Sequence, residues 1–275
     1  MAKRDSNAKR KAYDEIIEHI FLKHYAEGLQ EIPWDRHEIL EAAEEVGVSA
    51  PKNLGDVVYH YRYRGELPQL LRDALPSGKQ WIIRPAGKGK YRFCQVSNAQ
   101  ILPASNMVIT KIPDATPEII AANSLNDEQA LLARVRYNRL IDIFLGVTSY
   151  SLQNHLRTTV KNLGQVEVDE IYLAVDSYGV QYVVPVQAKG GADRIGVVQI
   201  EQDIAVCAEK FPMFVSRPVG AQFMANGVIA LFELAVQDDA PAVIREAHYK
   251  LVPFKDIKPE DRELFRRCAE LPPNA

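Results

Sequence analysis

The chain has 275 residues, enough for one large domain or two small ones, and its 47% hydrophobic and 25% charged residues exclude a mostly disordered protein. Its three cysteines, Cys94, Cys207 and Cys268, lie far apart, which excludes a disulfide scaffold and a cysteine-built zinc site. The net charge of −3 conceals a basic segment, residues 52–92, in which nine basic side chains outnumber three acidic ones. This local excess favours a polyanion such as nucleic acid as a partner.

Three helices are predicted near the N-terminus. Apolar residues recur at helical spacing over 13–25 and over 37–46, and a shorter helix is predicted after Pro51. Two apolar runs, 81–83 and 91–93, then flank a connection rich in glycine and lysine, and this pattern is typical of an exposed β-hairpin.

Helices followed by a basic hairpin are the order expected of a winged-helix module. We therefore predict a winged-helix-like α+β domain over residues 1–95, in which Lys88, Lys90 and Arg92 contact DNA. The alternative is a small α+β domain whose hairpin lysines only keep it soluble. Residues 96–124, with three prolines and few charges, are predicted to form a connector with one short strand over 107–112.

The remaining part, residues 125–275, is predicted to be α/β, with a mixed central sheet flanked by helices. Asn126 is predicted to cap a long helix that ends near Leu145, and a shorter helix is predicted over 150–160. Strands and one further helix follow, and the predicted strands cover residues 166–175, 180–188, 214–219, 228–236 and 243–252. The further helix is predicted over 197–210.

The hairpin formed by the first two of these strands groups polar residues on one face. Its connection is Ser177-Tyr178-Gly179, so that paired positions sum to 356 and Asp169 lies opposite Gln187. Glu167 then lies opposite Lys189, and all four side chains share a face because side chains alternate along a strand. One interpretation is an exposed ion pair between Glu167 and Lys189.

The other interpretation is a divalent-metal site for phosphodiester hydrolysis. Asp169 would supply a charged oxygen, Gln187 an amide oxygen and Ala188 its carbonyl, a set of hard ligands that suits Mg²⁺. Lys189 would lie beside the attacking water or the phosphate and stabilise the developing negative charge.

Val168-Asp169, an eighteen-residue gap and Gln187-Ala188-Lys189 on the adjacent strand resemble the PD-(D/E)XK nuclease superfamily. More narrowly, residues 165–211 are similar to type II restriction-endonuclease-like proteins. The resemblance implies a restriction-endonuclease-like core, Mg²⁺-dependent cleavage that leaves a 5′-phosphate, Asp169 and Gln187 at the metal, and Lys189 as the catalytic lysine.

Two positions depart from the pattern of this superfamily. The usual proline before the aspartate is Val168, and the second acid is Gln187, which removes one negative charge from the metal site. We expect Glu167 to serve as an auxiliary metal ligand because it lies on the predicted face. Outside the motif, Arg157 and Gln199 are predicted to contact nucleic acid from the helices that flank the two strands.

The sequence as a whole predicts a Mg²⁺-dependent endonuclease that cleaves double-stranded DNA at specific sequences, as a type II restriction endonuclease does. Cleavage of both strands at a palindrome needs two active sites, so a homodimer is expected. The alternatives are a structure-specific or repair nuclease and an inactive winged-helix regulator that only binds DNA. Without an apolar signal segment or a long apolar run, a cytoplasmic protein with no membrane span is expected.

Overall fold

A computed structural model of the protein describes residues 2–63, 65–123, 128–191, 193–237 and 240–270. The chain divides into two compact units. The first comprises Met1–Gln100 with Thr158–Val166 and Gly196–Val198, and the second comprises Ile101–Arg157, Glu167–Ile195 and Gln199–Ala275. None of the helices in the described part of the chain combines the length and the hydropathy that a membrane-spanning segment needs.

Four helices and three strands build the main part of the first unit. In chain order they are α1 (Ala2–His24), β1 (Glu31–Asp35), α2 (Glu38–Glu45), α3 (Gly55–Tyr63), α4 (Gln69–Asp73), β2 (Gln80–Pro85) and β3 (Lys90–Val96). The three strands form an antiparallel sheet in the order β1-β3-β2. The predicted hairpin is therefore confirmed as β2 and β3, whereas the sequence analysis missed β1 and α4.

Aromatic side chains form the core of the first unit. The ring of Phe21 on α1 packs edge-on against Trp81 and Phe93, each at a centroid distance of 5.4 Å. Trp34 of β1 stacks on Phe93 at 5.6 Å. The apolar spacing that predicted the helix over 13–25 is the stripe that reaches this core, since Ile16, Ile17, Ile20 and Phe21 are all buried.

The second unit is built around a large mixed sheet. The elements that lie wholly or partly in it begin with β4 (Gln100–Ile101), β5 (Ile109–Pro113), α5 (Glu118–Asn123), α6 (Glu128–Tyr137), α7 (Leu140–Leu145), β6 (Thr148–Val160), β7 (Gly164–Val175) and β8 (Gln181–Lys189). They continue with β9 (Ile195–Gly196), α8 (Val197–Lys210), β10 (Val215–Ser216), β11 (Val219–Phe223), β12 (Val228–Gln237), β13 (Ala240–Val252) and α9 (Pro259–Glu270). Short 3₁₀ turns lie at Ala225–Gly227 and Phe254–Asp256.

Eight strands of the described residues form this sheet, in the order β5-β13-β12-β11-β8-β7-β6, with β10 beside β8. The pairs β11–β8, β10–β8 and β13–β5 are parallel, and β7–β8, β11–β12 and β12–β13 are antiparallel. Apolar side chains of α6 and α7 pack on one face of the sheet. On the other face, Ile200 of α8 packs against Phe232 and Leu234 of β12. The predicted α/β class, with a mixed central sheet flanked by helices, is confirmed.

Two helix predictions in the second unit are wrong. Residues 150–160 belong to strand β6, where threonine, tyrosine and valine favour extended backbone. The predicted long helix is two helices, α6 and α7, because Arg139 between them has a left-handed backbone with φ of 50°. The carbonyl of Arg134 in the last turn of α6 accepts a hydrogen bond from Nδ2 of Asn138 at 3.0 Å. Asn126, the predicted cap, lies outside the described residues.

The register predicted for the β7–β8 hairpin is confirmed. The ladder runs from Val175 opposite Gln181 to Glu170 opposite Val186, and each pair sums to 356. Gly179 closes the turn at a φ of 81°, a conformation that costs glycine nothing. Because the register holds, the alternation of side chains places Asp169, Gln187 and Lys189 on the predicted face.

Candidate functional site

The candidate site lies where the β7–β8 ladder ends. Glu170 opposite Val186 is the last pair of this ladder, and the next inward-facing amide of β8, that of Ala188, donates to the side chain of Asp169 instead. The distance from Ala188 N to Asp169 Oδ2 is 2.9 Å. The Asp169 carboxylate therefore occupies the position of a ladder partner between the two strands. Ala188 contributes its N–H here, and a role for its carbonyl as a metal ligand stays a prediction.

Gln187 is held by helix α8. Its Nε2 donates to Oδ1 of Asp203 at 3.3 Å, and its Oε1 accepts from Nε2 of Gln199 at 3.3 Å. The side chain is almost fully buried, at 1% exposure. Gln199 and Asp203 are four residues apart and so lie on the same side of α8. Gln199, predicted to contact nucleic acid, thus contacts Gln187.

Lys189 is bound by an acid that the sequence analysis missed. Its Nζ lies 2.9 Å from Oε1 of Glu128, the first described residue of α6. The lysine side chain is 11% exposed and that of Glu128 is 39% exposed. The interpretation of Lys189 as the partner of Glu167 is therefore wrong. The two residues of the pair are 61 positions apart in sequence, and no local pattern links them.

Burial and charge perturb the ionisable groups of this site. Burial raises the pKa of Asp169, although the Ala188 amide and the charge of Lys189 act in the opposite direction. Burial alone would lower the pKa of Lys189, but the hydrogen bond to Glu128 and the charge of Asp169 outweigh it and the pKa is raised. Lys189 is therefore an ammonium ion at neutral pH and cannot serve as a base.

Asp203 is the most deeply buried acid of the site. Its carboxyl group is 1% exposed, and its Oδ2 has no hydrogen-bond partner among the described residues. Burial, together with the charge of Asp169, raises the pKa of Asp203 well above its usual range. The sequence analysis assigned no role to Asp203. Its contact with Gln187 follows from the four-residue spacing to Gln199 on a helix.

Glu167 does not join this group. Its carboxylate accepts from Nε of Arg157 at 3.1 Å and lies 3.2 Å from Nδ1 of His155, both on the neighbouring strand β6. Two side chains of β6 therefore engage the charge of Glu167, and its role as an auxiliary metal ligand stays a prediction. Arg157, expected on a helix, lies on β6, where it remains 67% exposed.

Of the three basic residues predicted to contact DNA in the first unit, Lys88 and Lys90 are exposed and Arg92 is ion-paired. Lys88 and Lys90 are exposed at the β2–β3 turn, where the Ala86 amide donates to the Lys90 carbonyl at 2.9 Å. Arg92 on the central strand of the small sheet is ion-paired with Glu31 at 3.5 Å. Lys88 and Lys90 thus expose positive charge at a turn, whereas the charge of Arg92 is partly neutralised by Glu31.

The site offers oxygen donors suited to a hard cation. Asp169 and Glu128 carry carboxylates, each within the electrostatic range of Lys189, and Gln187 adds an amide oxygen. No group of three or more histidine, cysteine, aspartate or glutamate side chains is placed to hold a metal ion within the described ranges. A cation here would therefore depend on the amide, on backbone oxygen and on water for its remaining ligands.

A scan against protein-family models found no match, and searches of curated proteins and of solved structures found none either. The chemistry of the site is therefore argued from its own residues.

Proposed function

We propose that the protein is a Mg²⁺-dependent endonuclease that hydrolyses phosphodiester bonds of double-stranded DNA through a site of the PD-(D/E)XK kind. One observation carries this proposal. Asp169, Gln187 and Lys189 share one face of two antiparallel strands at the point where the strands stop pairing. An acid, an amide and an ammonium group at one strand end can together hold a cation and a phosphate.

The residues present fit Mg²⁺ by the chemistry of their donors. Asp169 and Glu128 supply negative charge, and the amide oxygen of Gln187 supplies a neutral ligand. Burial raises the pKa of Asp169, and a bound cation would favour its charged form. When bound, Mg²⁺ would polarise the phosphate and lower the pKa of water at the site.

Each residue then has a distinct role toward a DNA phosphodiester. Lys189, kept as an ammonium ion, stabilises the negative charge that develops on the phosphate oxygens during attack by water. Glu128 holds the Lys189 ammonium in place at 2.9 Å. Asp169, fixed by the Ala188 amide, cannot rotate freely and so keeps its carboxylate between the strands. This fixed geometry favours in-line attack.

The first unit supports DNA as the substrate. Its order of helix, strand, two helices, a short helix and a hairpin, with the sheet order β1-β3-β2, supports the proposal that it is a winged-helix-like module. Lys88 and Lys90 at the turn of the hairpin would contact phosphate. We propose that this unit binds the duplex and that a homodimer supplies two active sites for cleavage at a palindromic sequence, as in a type II restriction endonuclease.

A second candidate function is favoured by Gln187. A neutral amide at the position of the second acid weakens cation binding and favours a protein that only binds DNA. A third, a structure-specific nuclease, would have the same chemistry without base recognition.

Plasmid digestion separates these functions. The full chain with Mg²⁺ is expected to give discrete fragments from a long plasmid, and the Lys189→Ala variant is expected to give none. The control is Lys255→Ala, which replaces an exposed lysine outside the site and should cleave as the wild type does. Cleavage without discrete fragments would point to the structure-specific nuclease. Equal absence of cleavage in all three proteins, with DNA binding retained, would overturn the nuclease in favour of the binding protein.

A further inference from the structure

The amide of Gln187 is clamped by two residues of α8 that are one helical turn apart. Its nitrogen donates to Asp203 and its oxygen accepts from Gln199, both at 3.3 Å. The side chain is 1% exposed, so these two contacts satisfy the hydrogen-bonding groups of a buried amide. These two contacts, here called the clamp, therefore direct the nitrogen of the Gln187 amide to Asp203 and its oxygen to Gln199.

The orientation of this amide matters because its two ends are chemically opposite. Only the oxygen can ligate a cation, and the NH₂ group would repel it. Gln199 cannot decide the orientation alone, because it is itself an amide with a donor and an acceptor. Asp203 can decide it, because Oδ1 accepts in the carboxylate and continues to accept when a proton resides on Oδ2, which has no hydrogen-bond partner among the described residues.

We propose that Asp203 is a positioning residue that holds the Gln187 amide by its nitrogen and so reserves the amide oxygen for a cation. The cation would use the oxygen lone pair that Gln199 leaves free. The inference rests on the proposed function, because it concerns the same metal site. It explains how a glutamine can replace an acid at position 187, since a carboxylate has two equivalent oxygens and needs no such orientation.

Mg²⁺ binding to the full chain, measured by calorimetry without DNA, tests this role. Asp203→Asn, which offers both a donor and an acceptor, is expected to raise the Mg²⁺ dissociation constant about threefold, and Asp203→Leu about tenfold, as for a lost hydrogen bond. In the Gln187→Glu background neither substitution should raise the Mg²⁺ dissociation constant, because a carboxylate needs no orientation. Equal increases in both backgrounds would overturn the proposal, because they would show an effect independent of amide orientation.

A second measurement decides the matter even if the wild type binds no Mg²⁺ or cleaves no DNA. The Nε2 protons of Gln187 should exchange with solvent at least tenfold more slowly than those of the exposed Gln181 in the NMR spectrum, because Asp203 protects them. Exchange should become faster in Asp203→Leu, which removes the acceptor, and change less in Asp203→Asn, whose Oδ1 can still accept. Equal exchange in the wild type and Asp203→Leu would show that burial alone protects the amide and would overturn the clamp. Rapid exchange in the wild type would overturn the clamp, whereas an inactive protein with protected protons would contradict only the nuclease function.

Discussion

Glu128→Gln probes the contact between α6 and the end of β8. The substitution removes the carboxylate that lies 2.9 Å from Lys189 Nζ and leaves the lysine at 11% exposure. Exposed ion pairs contribute less than about 1 kcal/mol, and breaking a fully buried pair costs about 3–5 kcal/mol. Because Glu128 is 39% exposed and Asp169 remains nearby, we expect the second unit to lose about 1–2 kcal/mol in free energy of unfolding.

Hydrogen exchange of the β8 amides measures this loss. Both tryptophans, Trp34 and Trp81, belong to the first unit, so tryptophan fluorescence would report on the wrong part of the chain. A loss of 1–2 kcal/mol corresponds to exchange about 5- to 30-fold faster at Val184 and Val186. Glu263→Gln, in an exposed pair on α9, is the control and should change exchange less than about threefold. Identical exchange in the two variants would refute the proposed role of Glu128.

Three further predictions concern stability and DNA binding. Glu170→Leu removes the buried carboxylate that pairs with Arg136 of α6, and we expect it to lower the free energy of unfolding by about 3 kcal/mol. Urea unfolding followed by circular dichroism measures this change, and a loss below about 1 kcal/mol would contradict the prediction. Gly220→Ala places a Cβ 2.6 Å from the Ile195 side chain and should cost about 1–3 kcal/mol, part of which Ile195→Val should restore. Replacing Lys88 and Lys90 by alanine should reduce the magnitude of the slope of log affinity for duplex DNA against log salt concentration by about 2. An unchanged slope would exclude these phosphate contacts.

Local rules predicted the elements that position the site. The turn at Gly179 and the alternation of apolar residues determine the β7–β8 register, because both are properties of neighbouring residues. The helix over 197–210 was predicted with the bounds of α8, since its apolar residues recur at helical spacing over this length. Where local preference and tertiary packing agree, the sequence is sufficient.

Tertiary contacts decided what the sequence could not predict. The partner of Lys189 is on a helix 61 residues away, and only the packing of α6 on the sheet brings Glu128 to it. Strand β6 was read as a helix because its polar residues show no alternation, and its place at the edge of the sheet needs none. The contacts of Glu167 with Arg157 and His155 were missed for the same reason, since both partners are on β6.

Nicking of supercoiled plasmid by the full chain is the most direct measurement of the claim that Asp169, Gln187 and Lys189 act on one phosphodiester. We predict Mg²⁺-dependent nicking by the wild type, and a rate at least about 10²-fold lower for Asp169→Asn and for Lys189→Met, with DNA affinity unchanged. Nicking at the wild-type rate in either variant would contradict the assignment of the site.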